Sequence, residues 1–177
     1  MKNRNNLYRL NTKGITLVEL MLILGILAII LQTMFLIFSL GNKAFNVSKD
    51  KGIIQKEVRT AAGLIVKEIK NAKELSKEKF MGEDSFFILS LEKKDGHNAL
   101  CRTSYLSKEQ YEKFYIGQAI TELLFLPLEG DNMIQVKIKA EEKGQEYELS
   151  FQILLENIEY VDIPERGISK IFYTKYQ

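Results

Sequence analysis

Few side chains in this sequence stand where chemistry could be done, and the first of them is a carboxylate. Glu19 is the single charge in ITLVELMLILGILAIILQTMFLIFSLG, residues 15–41. A carboxylate in hydrocarbon costs about 2.5–3.5 kcal/mol even on lenient insertion scales, so it usually has a partner and a purpose. The plainer alternative is an acid close enough to the end of a span to reach the headgroups. Beyond Glu19 the reactive inventory is thin. The chain has one histidine, His97, and one cysteine, Cys101. That excludes an HExxH metal centre, an internal disulfide and a cysteine-rich zinc site. His97 sits beside an Asp-Gly turn and reads as solvated; Cys101 falls in mid-strand and reads as a small apolar residue. No GxGxxG, GxxxxGK[ST] or GxSxG string occurs, so nucleotide binding and serine hydrolysis find no local support. The carboxylates are scattered without an evident close pair. Asn46-Val47-Ser48 matches a glycosylation sequon, a pattern common by chance. Tyr160, Tyr173 and Tyr176 form either a late contact patch or half-buried sheet positions. No catalytic residue, cofactor or metal is expected.

The elements around Glu19 set its surroundings. From Leu20 to Phe38 only Gln32 and Thr33 are polar. As a helix this stretch covers about 28 Å, close to the hydrocarbon thickness of a bilayer. Residues 1–14 carry Lys2, Arg4, Arg9 and Lys13 and no acid, while Lys43, Lys49 and Lys51 follow the span more sparsely. The bias favours a cytoplasmic N-terminus and an exported remainder, a single-pass protein of the cytoplasmic membrane. Setting those four cations aside leaves 21 of the 25 basic residues against 23 acids. The basic balance therefore belongs to a topology signal, and binding to nucleic acid is not expected.

Lys13-Gly14 followed by Ile15-Thr16-Leu17-Val18-Glu19 resembles the start of the type IV pilin and pseudopilin family. In that family a short basic leader ends in Gly and the mature chain opens F-T-L-[IVL]-E. Gly14, Thr16, Leu17, Val18 and Glu19 are in register, with Glu19 as fifth mature residue. The sequence departs at Ile15, where Phe is usual, and lacks the helix-kinking proline that many major pilins carry near position 36. The resemblance covers residues 1–40. It implies that a membrane aspartyl prepilin peptidase cuts after Gly14, with N-methylation of the new Ile15 amine. It implies a non-enzymatic subunit whose residue 15–41 helix packs among other pilin or pseudopilin subunits on a membrane assembly platform, bound first by lipid and then in a surface filament. In such packing the amine of a neighbour is the natural counter-ion for Glu19, and the pair would set axial register. Ser39-Leu40-Gly41 offers a competing signal-peptidase site, giving a chain that starts at Asn42, but the apolar run is too long and contains an acid. The alternative function is a membrane-anchored exported enzyme or binding protein with an uncleaved signal anchor.

Behind the span, Ile54, Val58, Ala61, Ile65, Ile69 and Ala72 follow a helical repeat, with Lys56, Glu57, Lys67, Glu68 and Lys70 mostly off the stripe. The spacing predicts one long helix, a membrane-spanning part over 15–41 continued amphipathically over 42–81 and stopped near Gly82. From 82 to 177 the texture is short alternating runs. Strands are predicted over 85–92, 98–106, 119–126, 133–140, 146–155, 158–163 and 168–176, with a hairpin turn at Asp95-Gly96, a second over 141–145, and a short helix or loop over 107–112. The fold class is α+β, a long N-terminal helix packed on an antiparallel sheet. Within the pilin resemblance, Leu100-Cys101-Arg102 after a hairpin and the meander ending at Leu155-Glu156-Asn157 are similar to the minor-pilin or J/W-type pseudopilin branch.

Overall fold

The computed structural model describes residues 14–80, 85–106, 110–128, 132–156, 158 and 160–176. Helix α1 runs Leu17–Lys70. Nine strands follow: β1 Ala72–Ser76, β2 Phe86–Lys94, β3 His97–Tyr105, β4 Tyr111–Ile116, β5 Ile120–Pro127, β6 Met133–Glu142, β7 Gln145–Leu154, β8 Tyr160–Asp162 and β9 Lys170–Lys175. The chain divides into two units, Met1–Phe45 and Asn46–Gln177.

In the first unit every described residue is exposed. Leucine, isoleucine, methionine and phenylalanine side chains from Leu20 to Phe38 point outward all round the helix. Such a surface suits hydrocarbon or other apolar helices and does not suit water. This is one helix long and apolar enough to cross a membrane.

In the second unit the helical repeat does what its spacing demands. Ile54, Val58, Ala61, Ile65 and Ile69 are fully buried, packed in one core with Leu89, Leu100, Ile171, Phe125, Val136 and Ile138. Burying each large aliphatic side chain contributes about 1.5–3 kcal/mol relative to exposure. The result is α+β, helix on a largely antiparallel sheet structure, as the alternation predicts.

Three details differ from the sequence reading. The helix ends at Lys70 rather than near 81, and the stretch Ala72-Lys-Glu-Leu-Ser76 is a strand. Its residues favour helix, but pairing antiparallel to β9 and parallel to β8 overrides local propensity. Ala72 and Leu75 are fully buried in that strand, so Ala72 joins the core from the sheet and not from the helix. The expected stop at Met81–Asp84 lies outside the described residues. Second, the strands make two sheets: one ordered β4-β3-β2-β9-β1-β8, the other β5-β6-β7. Third, Tyr111 and Glu112, read as helix or loop, begin strand β4 on the edge of the larger sheet; residues 107–109 lie outside the described residues.

Turns hold the registers. Asp95-Gly96 and Lys143-Gly144 both have positive φ at both positions (51° and 85°, 51° and 73°), the two-residue hairpin geometry that matches strand twist. The predicted five-residue connection over 141–145 thus tightens to two. Lys143 is secured by its Nζ on Asp50 Oδ1 of the helix, 3.2 Å away. Gly167 is required: its φ is 76°, and a Cβ there would lie 2.9 Å from the Phe125 carbonyl oxygen. That approach lets Phe125 and Ile168 exchange two backbone hydrogen bonds of 2.8 and 2.9 Å, joining the segment before β9 to the smaller sheet.

Candidate functional site

The segment Gly14–Glu19 starts outside regular secondary structure and enters the helix within three residues. Gly14, Ile15 and Thr16 precede α1; Leu17, Val18 and Glu19 form its first turn, and all six are exposed. The Thr16 hydroxyl accepts from the Glu19 backbone N–H at 3.3 Å, while Glu19 Oε2 accepts from the Thr16 backbone N–H at 3.3 Å and from its hydroxyl at 3.2 Å. This is a reciprocal capping box with Thr16 as N-cap and Glu19 three residues on. The sequence reading missed this local role of Glu19, although a Thr-x-x-Glu spacing before an apolar run is its signature. The cap uses only Oε2, and a carboxylate has acceptor capacity to spare on Oε1. Glu19 therefore closes the start of its own helix with one carboxylate oxygen. Lys2, Arg4, Arg9 and Lys13 lie outside the described residues.

The second cluster was not foreseen. Glu68, read as lying off the helical stripe, is 2% exposed at the inner edge of the buried arc. Its Oε1 accepts from Arg102 Nη1 at 3.1 Å; its Oε2 meets Lys175 Nζ at 2.7 Å and accepts from the Tyr173 hydroxyl. Burial acts to raise the carboxyl pKa, but the hydrogen bonds from Lys175 and Tyr173 and the charges of Lys175 and Arg102 outweigh it, and the net shift is downward. Burial and the adjacent carboxylate push the Tyr173 phenol well up. Lys175 also lies 4.6 Å above the Phe87 ring, which stacks on Tyr173 at 5.2 Å. A carboxylate held ionised by three donors is a poor base, so the cluster is a structural clasp joining the end of α1 to β3 and β9. The signal in the sequence was position: Glu68 follows Ile65 by three and Ala61 by seven, the spacing of the core itself.

A third group lies at the β2–β3–β4 junction. Cys101 is fully buried, its thiol 3.6 Å from the Thr103 hydroxyl, and burial raises its pKa. Beside it Glu92 accepts from Lys113 at 2.6 Å and from the Tyr115 hydroxyl at 3.3 Å. Burial works to raise Glu92, but Lys113 prevails and lowers it. With its thiol protonated and covered, Cys101 is packing rather than a nucleophile. His97 is exposed at the start of β3. Of the three late tyrosines, Tyr173 is fully buried whereas Tyr160 and Tyr176 are more than half exposed. Among the described residues no three His, Cys, Asp or Glu side chains gather as a metal would need.

No protein-family model matches this chain, and neither curated proteins nor solved structures contain a significant match.

Proposed function

We propose that this chain is a minor pilin or pseudopilin, a structural subunit of a type IV pilus or a related secretion or DNA-uptake filament. The observation that carries the reading is the junction at residues 14–19: a glycine ahead of the helix, then a capped helix start whose single acid opens an apolar surface exposed on every side. In this reading the chain is inserted in the cytoplasmic membrane with its N-terminus inside. A prepilin peptidase cuts after Gly14 and the Ile15 amine is methylated. Cutting removes four cations that oppose translocation and leaves a new positive end with an ordinary pKa of about 7.7–8.0. Glu19 of one subunit then takes the Ile15 amine of the next, and helix–helix packing replaces lipid around residues 15–41.

N-terminal sequencing and intact mass of the membrane form test this. The expected chain begins at N-methylated Ile15. A chain that begins at Met1 defeats the reading in favour of an uncleaved anchor, and one that begins at Asn42 makes it a secreted protein.

A further inference from the structure

Charge is segregated around the 46–70 part of α1. Lys49, Gly52, Lys56, Arg59, Thr60, Gly63, Lys67 and Lys70 are all exposed and fall within an arc about 100° wide at 100° per residue. Five of these eight are cations and none is an acid. None of the five makes an ion pair among the described residues. The three acids of this stretch lie outside that arc, and each is occupied: Asp50 by Lys143, Glu57 by the Gln118 backbone N–H at 3.1 Å, Glu68 by its clasp. The stripe therefore keeps its full positive charge.

Its relief is as distinctive as its sign. Gly52, Thr60 and Gly63 alternate with the cations, and Gly52, Gln55, Lys56, Arg59 and Thr60 line an open groove of about 390 Å³. A Cβ at Gly52 or Gly63 would meet nothing within 4 Å, so packing inside the chain demands glycine at neither. Half-buried Leu64 and Val66 and the 43% exposed Ile53 border the row.

We infer that this face docks an acidic helix of a different chain. Carboxylates would sit between Lys49 and Lys70, a row about 31 Å long, while the small residues admit the partner's backbone and the apolar border packs its flanks. A second copy of this chain is a poor occupant, because apposing two such stripes sets cation against cation. The acids on its β6–β7 hairpin, Glu141, Glu142 and Glu148, are interleaved with Lys137, Lys139 and Lys143. The apolar border also fits a protein helix better than a phosphate backbone. The inference rests on the assembly reading for the existence of a neighbour and adds that neighbour's chemistry.

The test uses the full chain in detergent micelles and a labelled helical peptide with glutamates at positions one and four of each seven-residue repeat, read by fluorescence anisotropy. The matched glutamine peptide should bind about tenfold more weakly, and raising salt toward 1 M should release the acidic one. Lys56→Glu/Arg59→Glu should likewise cost the chain about tenfold for the acidic peptide and gain it affinity for a lysine version. These side chains are exposed, so an unchanged melting curve certifies folding. Equal binding of acidic and glutamine peptides overturns the inference. So does self-association of the wild-type chain that Lys56→Glu/Arg59→Glu abolishes, or competition by a DNA duplex as strong as by the peptide. A chain that starts at Ile15 yet ignores the peptide loses only the docking partner; one that binds it while retaining Met1 loses only the filament reading.

Discussion

Glu68 shows how one side chain can tie an element to the rest of a domain. Its carboxylate is 2% exposed and holds two cations that are each 28% exposed. Removing the charge strands those cations, but they can tilt toward water, so Glu68→Gln should destabilise by about 2–3 kcal/mol, the lower side of a broken buried pair. The pH dependence follows from the direction of the shift. Because the folded-state pKa lies below the unfolded one, the contribution is fully present above the unfolded carboxylate range. It is lost as pH falls through the folded pKa. Chemical denaturation between pH 7 and pH 3 should show a steep acid limb in the wild-type chain and a shallower one in Glu68→Gln. Cys101 makes a complementary case. Buried and protonated, it should react with a thiol reagent at neutral pH about a hundredfold more slowly in the folded chain than in denaturant. Comparable rates would mean that the β2–β3–β4 junction opens readily. At Glu19 the cap and the proposed intermolecular role separate by mutation. Thr16→Ala loses the N-cap, about 0.5–2 kcal/mol of helix start, but leaves the carboxylate.

At the scale of elements, glycines discriminate between positions that the fold needs and positions that it tolerates. Gly63→Ala should raise the melting temperature in detergent by the equivalent of about 0.5–1 kcal/mol, since helix propensity improves and the new methyl meets nothing. Gly167→Ala should lower it by more than that, because φ is 76° and the methyl would strike the Phe125 carbonyl. A Gly167→Ala chain as stable as the wild type would mean that the close approach to Phe125 does not constrain that turn. The same contrast explains what the sequence made legible. The core face of α1 followed from 3.6-residue spacing, and most strands and both hairpin turns followed from alternation punctuated by Asp-Gly and Lys-Gly. Ala72–Ser76 did not, because a short segment of helix-forming residues becomes a strand only through partners about 90–100 residues away in β8 and β9. The division into two sheets was hidden for the same reason. Glu68 was hidden by its type: a charge at a core position is normally evidence against burial, and only Arg102, Tyr173 and Lys175, remote in sequence, reverse that. At 14–19 the lone acid and the apolar run were read from the sequence, whereas the Thr16–Glu19 cap, though a local pattern, was not.

For the whole molecule the question is which step each part of the N-terminus governs. In the proposed function leader removal and assembly draw on different chemistry, so they should fail separately. Gly14→Leu adds a bulky side chain at the scissile position without touching Glu19. In the proposed function it leaves Lys2, Arg4, Arg9 and Lys13 attached, and four cations on the cytoplasmic side resist extraction of the helix from the bilayer. Glu19→Val leaves Gly14-Ile15 and the apolar run intact, so cutting should proceed, but the Ile15 amine of a neighbour then has no carboxylate to meet in an apolar surrounding. The expected pattern on immunoblots is an uncleaved, membrane-retained Gly14→Leu chain and a cleaved, membrane-retained Glu19→Val chain, with neither in sheared surface filaments. Thr16→Ala, which keeps the acid and loses only its cap, should be cleaved and still reach the filament fraction. If Glu19→Val were incorporated as well as the wild type, the acid would be a helix cap alone, and the Thr16→Ala and Glu19→Val chains would behave alike in every fraction.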